Sequence, residues 1–288
     1  MDDGFPRPGV RVTPRRPRFD YDGLEREIPR VWHPGGMGAT AFLEALSALA
    51  PVVERFFVDD ARRLLPRVAD AGLRAELDAF MHQEAAHATE HAALNRLLAA
   101  WGVPVEAAAH SVWRWLVVIE WASSELRSAV AIAGEHLLGE IGSVILSKPE
   151  LFADVDPRIA RLFRWHAYEE VEHKAVLFDA FRAACGNGLS TYVVRIAGLW
   201  LALVLVASLF PAMTYRVLAS AGAARDFRTW RTLGRFAFAA RGGILRGCWR
   251  AIAAYHRRDF HPWRYLDDRR LLELRDTIID PAWEASAR

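Results

Sequence analysis

Apolar side chains recur along the chain with the three-and-four spacing of helical faces. Between Thr40 and about Leu65 the positions Phe42, Leu43, Leu46, Leu49, Val53, Phe57 and Leu64 follow that spacing. Thr40 is placed to cap the start, and Pro51 predicts a kink or a division. A break from Pro66 to Gly72 leads to a second helix from about Leu73 to Ala100, ended by Trp101-Gly102-Val103-Pro104. The periodicity predicts a third long helix over roughly His110 to Leu146 and a turn from Ser147 to Pro157. A fourth helix follows from about Arg158 to Ala184, stopped by Gly186-Asn187-Gly188. Residues 1–38 hold too many prolines and glycines for a regular element, so an extended arm is expected there. No alternating strand pattern and no solenoid repeat occurs. The prediction is an all-α protein, with a four-helix bundle of two hairpins over 39–188 and an apolar and basic helical extension over 189–288.

The extension changes the picture of the partners. From Ile196 to Met213 eighteen residues pass without a charge, the lower limit for a membrane-crossing helix. From Pro211 to Arg270 thirteen arginines face four aspartates. Between Phe227 and Ile252, Arg228, Arg231, Arg235, Arg246 and Arg250 interleave with Trp230, Leu233, Phe236, Leu245 and Trp249, a basic amphipathic pattern suited to an anionic membrane surface. The start, Met1-Asp2-Asp3, is acidic and leads into no apolar signal segment, so a cytoplasmic bundle is expected. The arginines should stay on the same side, which a single crossing cannot satisfy. A re-entrant, interfacial or bundle-packed helix is therefore expected, peripheral at the inner face of the membrane, with residues 196–255 as the docking region. Nucleic acid is not expected, because the arginines come with a large apolar face. A homodimer is compatible with the pattern. Cys185 and Cys248 suggest neither a disulfide framework nor a thiolate metal site. Eleven tryptophans and fifteen phenylalanines demand burial against core, ligand or lipid.

The chemistry is carried by two Glu-x-x-His pairs, Glu84-Ala-Ala-His87 and Glu170-Val-Glu-His173. That pairing, one per hairpin, is the ligand pattern of a carboxylate-bridged two-metal site in a helical bundle. At about 100° per residue, Glu84, His87 and His91 fall within about 60° of one another, and so do His166, Glu170 and His173. Each remaining helix must add a carboxylate. Glu54 lies twelve residues before Pro66 and Glu84 twelve after Gly72, so the two sit at equal depth in an antiparallel pair. Glu135 lies thirteen before Lys148 and Glu170 thirteen after Pro157. Both nominated glutamates have small or apolar neighbours on their faces, where an uncompensated charge would be costly. The expected metal ligands are Glu54, Glu84, His87, Glu135, His166, Glu170 and His173, with His91 as an eighth candidate and Glu84 and Glu170 central to catalysis. His136, Glu169, Glu172 and Asp179 are read as support or core, and His82 and His110 as uninvolved.

The blocks Glu54-Arg55-Phe56-Phe57, Gln83-Glu84-Ala85-Ala86-His87, Glu135-His136 and Arg164 to Ala175, with the later Asp259-Phe260-His261-Pro262-Trp263, resemble the bacterial family of predicted metal-dependent hydrolases. The order His166, Glu170, His173 is also similar to the ferritin-like di-iron arylamine N-oxygenases, although the long C-terminal region departs from them. A carboxylate-rich shell suits two iron ions, or manganese or a mixed pair, better than zinc. The expected reaction is activation of dioxygen to oxidise a hydrophobic small molecule. The alternative is a hydrolase whose dinuclear metals acidify water. Metal storage or sensing is a second alternative.

Overall fold

The computed structural model describes residues 10–240, 242–266 and 268–285, so residues 1–9 of the expected arm lie outside them. The rest of the arm runs extended across the bundle and forms one helical turn, α1 (Leu24–Glu27). The long helices are α2 (Met37–Leu64), α3 (Ala71–Ala100), α4 (Val105–Glu120), α5 (Ser124–Ser147), α6 (Pro157–His173), α7 (Val176–Cys185) and α8 (Leu189–Ser220). The shorter α9 (Phe227–Phe238) and α10 (Cys248–Tyr255) follow, then single turns to Ala285. The protein is all-α, and no strand occurs among the described residues.

Local chemistry moves several predicted boundaries. α2 starts at Met37 behind Gly36, whose φ of 83° suits a glycine, and it continues through Pro51. Thr40 is therefore not its cap; the buried hydroxyl accepts a hydrogen bond from the His33 amide at 3.2 Å. The helix predicted over His110–Leu146 is two. Ser123 caps α5 by accepting from the Leu126 amide at 3.2 Å, and the chain turns at Trp121-Ala122 just before it. The helix predicted over Arg158–Ala184 is also two, interrupted directly after His173. There the Lys174 ammonium is anchored to Asp268 at 2.6 Å and to the Leu266 carbonyl at 2.7 Å.

The two hairpins, α2 with α3 and α5 with α6 and α7, pack into the bundle, while α8 lies along α5 and α9 along α2. Apolar burial falls into two clusters. One gathers Phe42, Leu94, Ile145 and Phe163 at one end, and the other gathers Phe57, Leu77, Ala133 and Phe181 at the other. Between them the four core helices place their polar side chains at matching depth, so a belt of carboxylates and imidazoles separates two dry cores. Small residues allow the closest helix contacts. A side-chain carbon at Gly198 of α8 would meet Ala129 of α5 at 2.4 Å, and one at Gly142 would meet the Ala167 carbonyl of α6 at 2.8 Å.

Replacing Gly198 by leucine should force α8 away from α5 and lower stability by about 1–3 kcal/mol. Chemical denaturation read by circular dichroism checks this, and an unchanged midpoint would show that α8 does not depend on close contact.

Candidate metal centre

Glu54 of α2, Glu84 and His87 of α3, Glu135 of α5, and Glu170 and His173 of α6 are buried, and His166 is nearly so. One oxygen or nitrogen from each of Glu84, His87, Glu170 and His173 lies within 4.8 Å of the others. His173 places Nε2 3.0 Å from Glu84 and Nδ1 3.2 Å from Glu135. His87 Nδ1 lies 3.5 Å from Glu84 and 4.0 Å from Glu170. A second group combines Glu54, His91 and His166, with His166 Nε2 2.9 Å from Glu170 and 3.6 Å from Glu54. All eight nominated side chains thus converge on one buried belt. His91 is set further out, with Nε2 2.7 Å from His166 Nδ1 and Nδ1 2.9 Å from the Ser47 hydroxyl. His82 and His110 are exposed and apart from it.

The donor set fits a pair of metal ions. Both oxygens of Glu54, Glu84 and Glu135, both nitrogens of His173, His87 Nδ1 and Glu170 Oε2 are buried with no partner in hydrogen-bond geometry, despite the short distances between them. Buried polar atoms in such numbers are rarely left unsatisfied, and here they converge. Four carboxylates would balance the charge of two divalent cations.

Support comes from further side chains of α3 and α6 and from the N-terminal arm. His87 Nε2 lies 3.0 Å from Glu169, fixing the ring so that Nδ1 faces the centre. Arg15 of the arm donates to Glu169 at 2.9 Å and to both oxygens of Glu172 at 2.8 and 3.0 Å. Gln83 donates to Glu172 at 2.6 Å and to the Thr13 carbonyl at 3.0 Å. The sequence predicts Glu169 and Glu172 as support or core and does not single out Arg15. It is one of several arginines in a proline-rich stretch and carries no local signal. The chain Asn95, Ser47, His91, His166 was equally hidden, since Ser47 and Asn95 meet only across the α2–α3 contact.

On the opposite flank the belt meets a cavity of about 330 Å³. Its lining is apolar, with Phe42, Phe57, Leu138, Leu203 and Phe210 among the walls. Among the described residues, and apart from the Cys248 thiol, the only ionisable side chains lining it are Glu54, His166 and Glu170.

Protons compete for the same atoms. Burial opposes charge on His87, but the hydrogen bond to Glu169 and the nearby Glu84 carboxylate outweigh it and raise the imidazolium to about 10. His173 is raised in the same way, burial being overcome by Glu135 and Glu84. Burial, reinforced by Glu170 and Glu84, pushes Glu135 up to about 8, and burial raises Glu54 as well. In Glu84 burial is overcome by the close His173 and His87 rings, and its carboxyl is lowered.

A family model described as a predicted metal-dependent hydrolase matches residues 13–265. The chain belongs to that family. Every side chain of the belt, from Arg15 to His173, lies inside the matched stretch, as do the helices that wall the cavity. No curated protein and no solved structure matches the chain, and the likeness to the N-oxygenases is not shown by these comparisons.

Without metal, His87 and Glu135 hold protons above the values that they have in an unfolded chain, near 6.5 and 4.5. A group raised in this way makes the folded state the stronger proton binder, so stability falls with rising pH. The loss runs from about 6.5 to 10 through His87 and from about 4.5 to 8 through Glu135. Metal displaces these protons, so its affinity should rise over the same window. Calorimetry in buffers of different ionisation enthalpy should detect proton release on metal binding. Melting temperature should fall between pH 6.5 and 8 in the metal-free protein, and a flat profile would contradict the assignment.

Proposed function

We propose that the protein is a dinuclear metal hydrolase acting on a hydrophobic ester. One observation carries this reading: Glu54, His166 and Glu170 sit at once in the ligand belt and at the wall of an apolar cavity. The family description favours water activation over the oxygen chemistry that the ligand spacing first suggests. The ligands would be Glu54, Glu84, His87, Glu135, His166, Glu170 and His173, with His91 holding His166. Bound metals would supply Lewis acidity, lowering the pKa of water and polarising a carbonyl.

The side chains supply the rest. The cavity binds the apolar part of the substrate by excluding water from it. Burial holds the Glu54 carboxyl well above the ordinary carboxylate range, with Glu84, Glu170 and Glu135 adding to the effect and His87 opposing it. That shift belongs to the metal-free belt; a cation bound by Glu54 would displace the proton and hold the carboxylate charged. His91, braced on Ser47, keeps His166 Nδ1 engaged and so aims Nε2 at Glu170 and Glu54. Glu84 and Glu170, shared between histidines of two helices, set the spacing of the centre.

Oxidation of a hydrophobic molecule by two iron ions and dioxygen is the second reading. The carboxylate-rich donor set favours it, since that set suits iron or manganese better than zinc.

The two readings part in one experiment. Protein loaded with its native metals is offered aromatic esters of increasing acyl length. Hydrolysis predicts that kcat/KM rises about fourfold per methylene until the cavity is filled, and that Glu84→Ala with Glu170→Ala abolishes turnover. The absence of any ester turnover, together with an oxygen-dependent absorption transient after anaerobic reduction, would overturn hydrolysis in favour of oxidation.

A further inference from the structure

The cavity does not end inside the protein. Trp115 of α4, Val206 of α8, Phe238 of α9 and Trp249 of α10 line it and are also exposed, Trp249 to 72%. Around that mouth the surface stays apolar. Val193, Trp200, Val204, Pro211 and Tyr215 fall within about 60° on the outer face of α8, a stripe about 33 Å long. Among the exposed positions between Val193 and Tyr215 none is charged. The inner face of the same helix is committed to α5 through Gly198, Leu199 and Ala202. α8 is therefore long and apolar enough to cross a membrane but is held against the bundle along one side. On α4 Trp113 is exposed to 61%, and just past its end Trp121 is exposed to 89%. An apolar surface of this extent on a soluble face marks a site of interaction.

Charge says what covers it. On α9, Phe227, Trp230 and Phe238 share one exposed arc of about 80°, and Arg228, Arg231 and Arg235 occupy the arc beside it, all exposed. Arg246 and Arg250 are exposed on either side of Trp249. Tryptophan bordered by arginine matches the boundary between acyl chains and anionic headgroups. A second copy fits less well, because a two-fold contact through this face would set arginines against arginines.

We propose that the mouth of the cavity docks on an anionic phospholipid bilayer. A single-chain amphiphile, such as a fatty acyl ester, then slides from the lipid past Trp115, Val206, Phe238 and Trp249 toward Glu54, His166 and Glu170. Docking stands on the surface alone, while the ester rests on the hydrolytic reading of the same cavity.

The test uses the full chain with its metals, centrifuged with vesicles of phosphatidylcholine alone or mixed with phosphatidylglycerol, some carrying brominated acyl chains. The protein should sediment with the mixed vesicles, less so as salt rises, and bromine should quench its tryptophan emission. Neutralising the three arginines by Arg228→Gln, Arg231→Gln and Arg235→Gln should lower partitioning about a hundredfold. That variant should lose turnover of a vesicle-embedded acyl ester in proportion and keep its turnover of a soluble ester. Vesicle binding without turnover of either ester upholds docking and removes only the hydrolytic reading. Absence of sedimentation, or sedimentation without quenching, would overturn the proposal. So would a dimer that Trp249→Glu converts to monomer with no vesicle binding in either form, which would assign the face to a second copy.

Discussion

Four carboxylates meet in the middle of an apolar bundle, and the rest of the structure is arranged around neutralising them. Glu54, Glu84, Glu135 and Glu170 come one from each core helix and are almost wholly buried. An unpaired charge in such a place costs several kcal/mol, so the belt must take up either protons or cations. His87 and His173 can carry the protons, and two divalent ions can replace them. The same constraint explains why the apolar clusters lie above and below the belt and do not run through it.

The centre has a polar side and a dry side. Behind it, Arg15 ties Glu169 and Glu172 to the N-terminal arm and reaches Glu284 near the C-terminus at 3.2 Å. Both ends of the described chain thus meet where His87 is oriented. In front of it the cavity is apolar, and none of Arg15, Glu169 and Glu172 lines it. This division lets one set of groups hold the ligands in place while the other admits a substrate without competing for their hydrogen bonds.

Much of this was legible in the residues. Helical periodicity found the core helices, and counting from the turns placed Glu54 and Glu135 at the depth of the two Glu-x-x-His pairs, where the structure brings them together. The breaks at Trp121-Ala122 and at Lys174 were missed for different reasons. Ser123 is a readable cap, but the apolar pattern continues across it and masks it. Lys174 is fixed by Asp268, ninety-four residues away, which no local pattern records. Arg15 and Ser47 belong to the same class, since their roles exist only once distant segments have packed.

The most direct measurement is the metal content of the protein purified from its own host, taken beside that of the Glu84→Ala, Glu170→Ala double variant. Two metals per chain, lost together in the double variant while the helical content persists, is the expected result. Fewer than one metal per chain, or undiminished metal in the double variant, would contradict the assignment of the buried belt as a dinuclear centre.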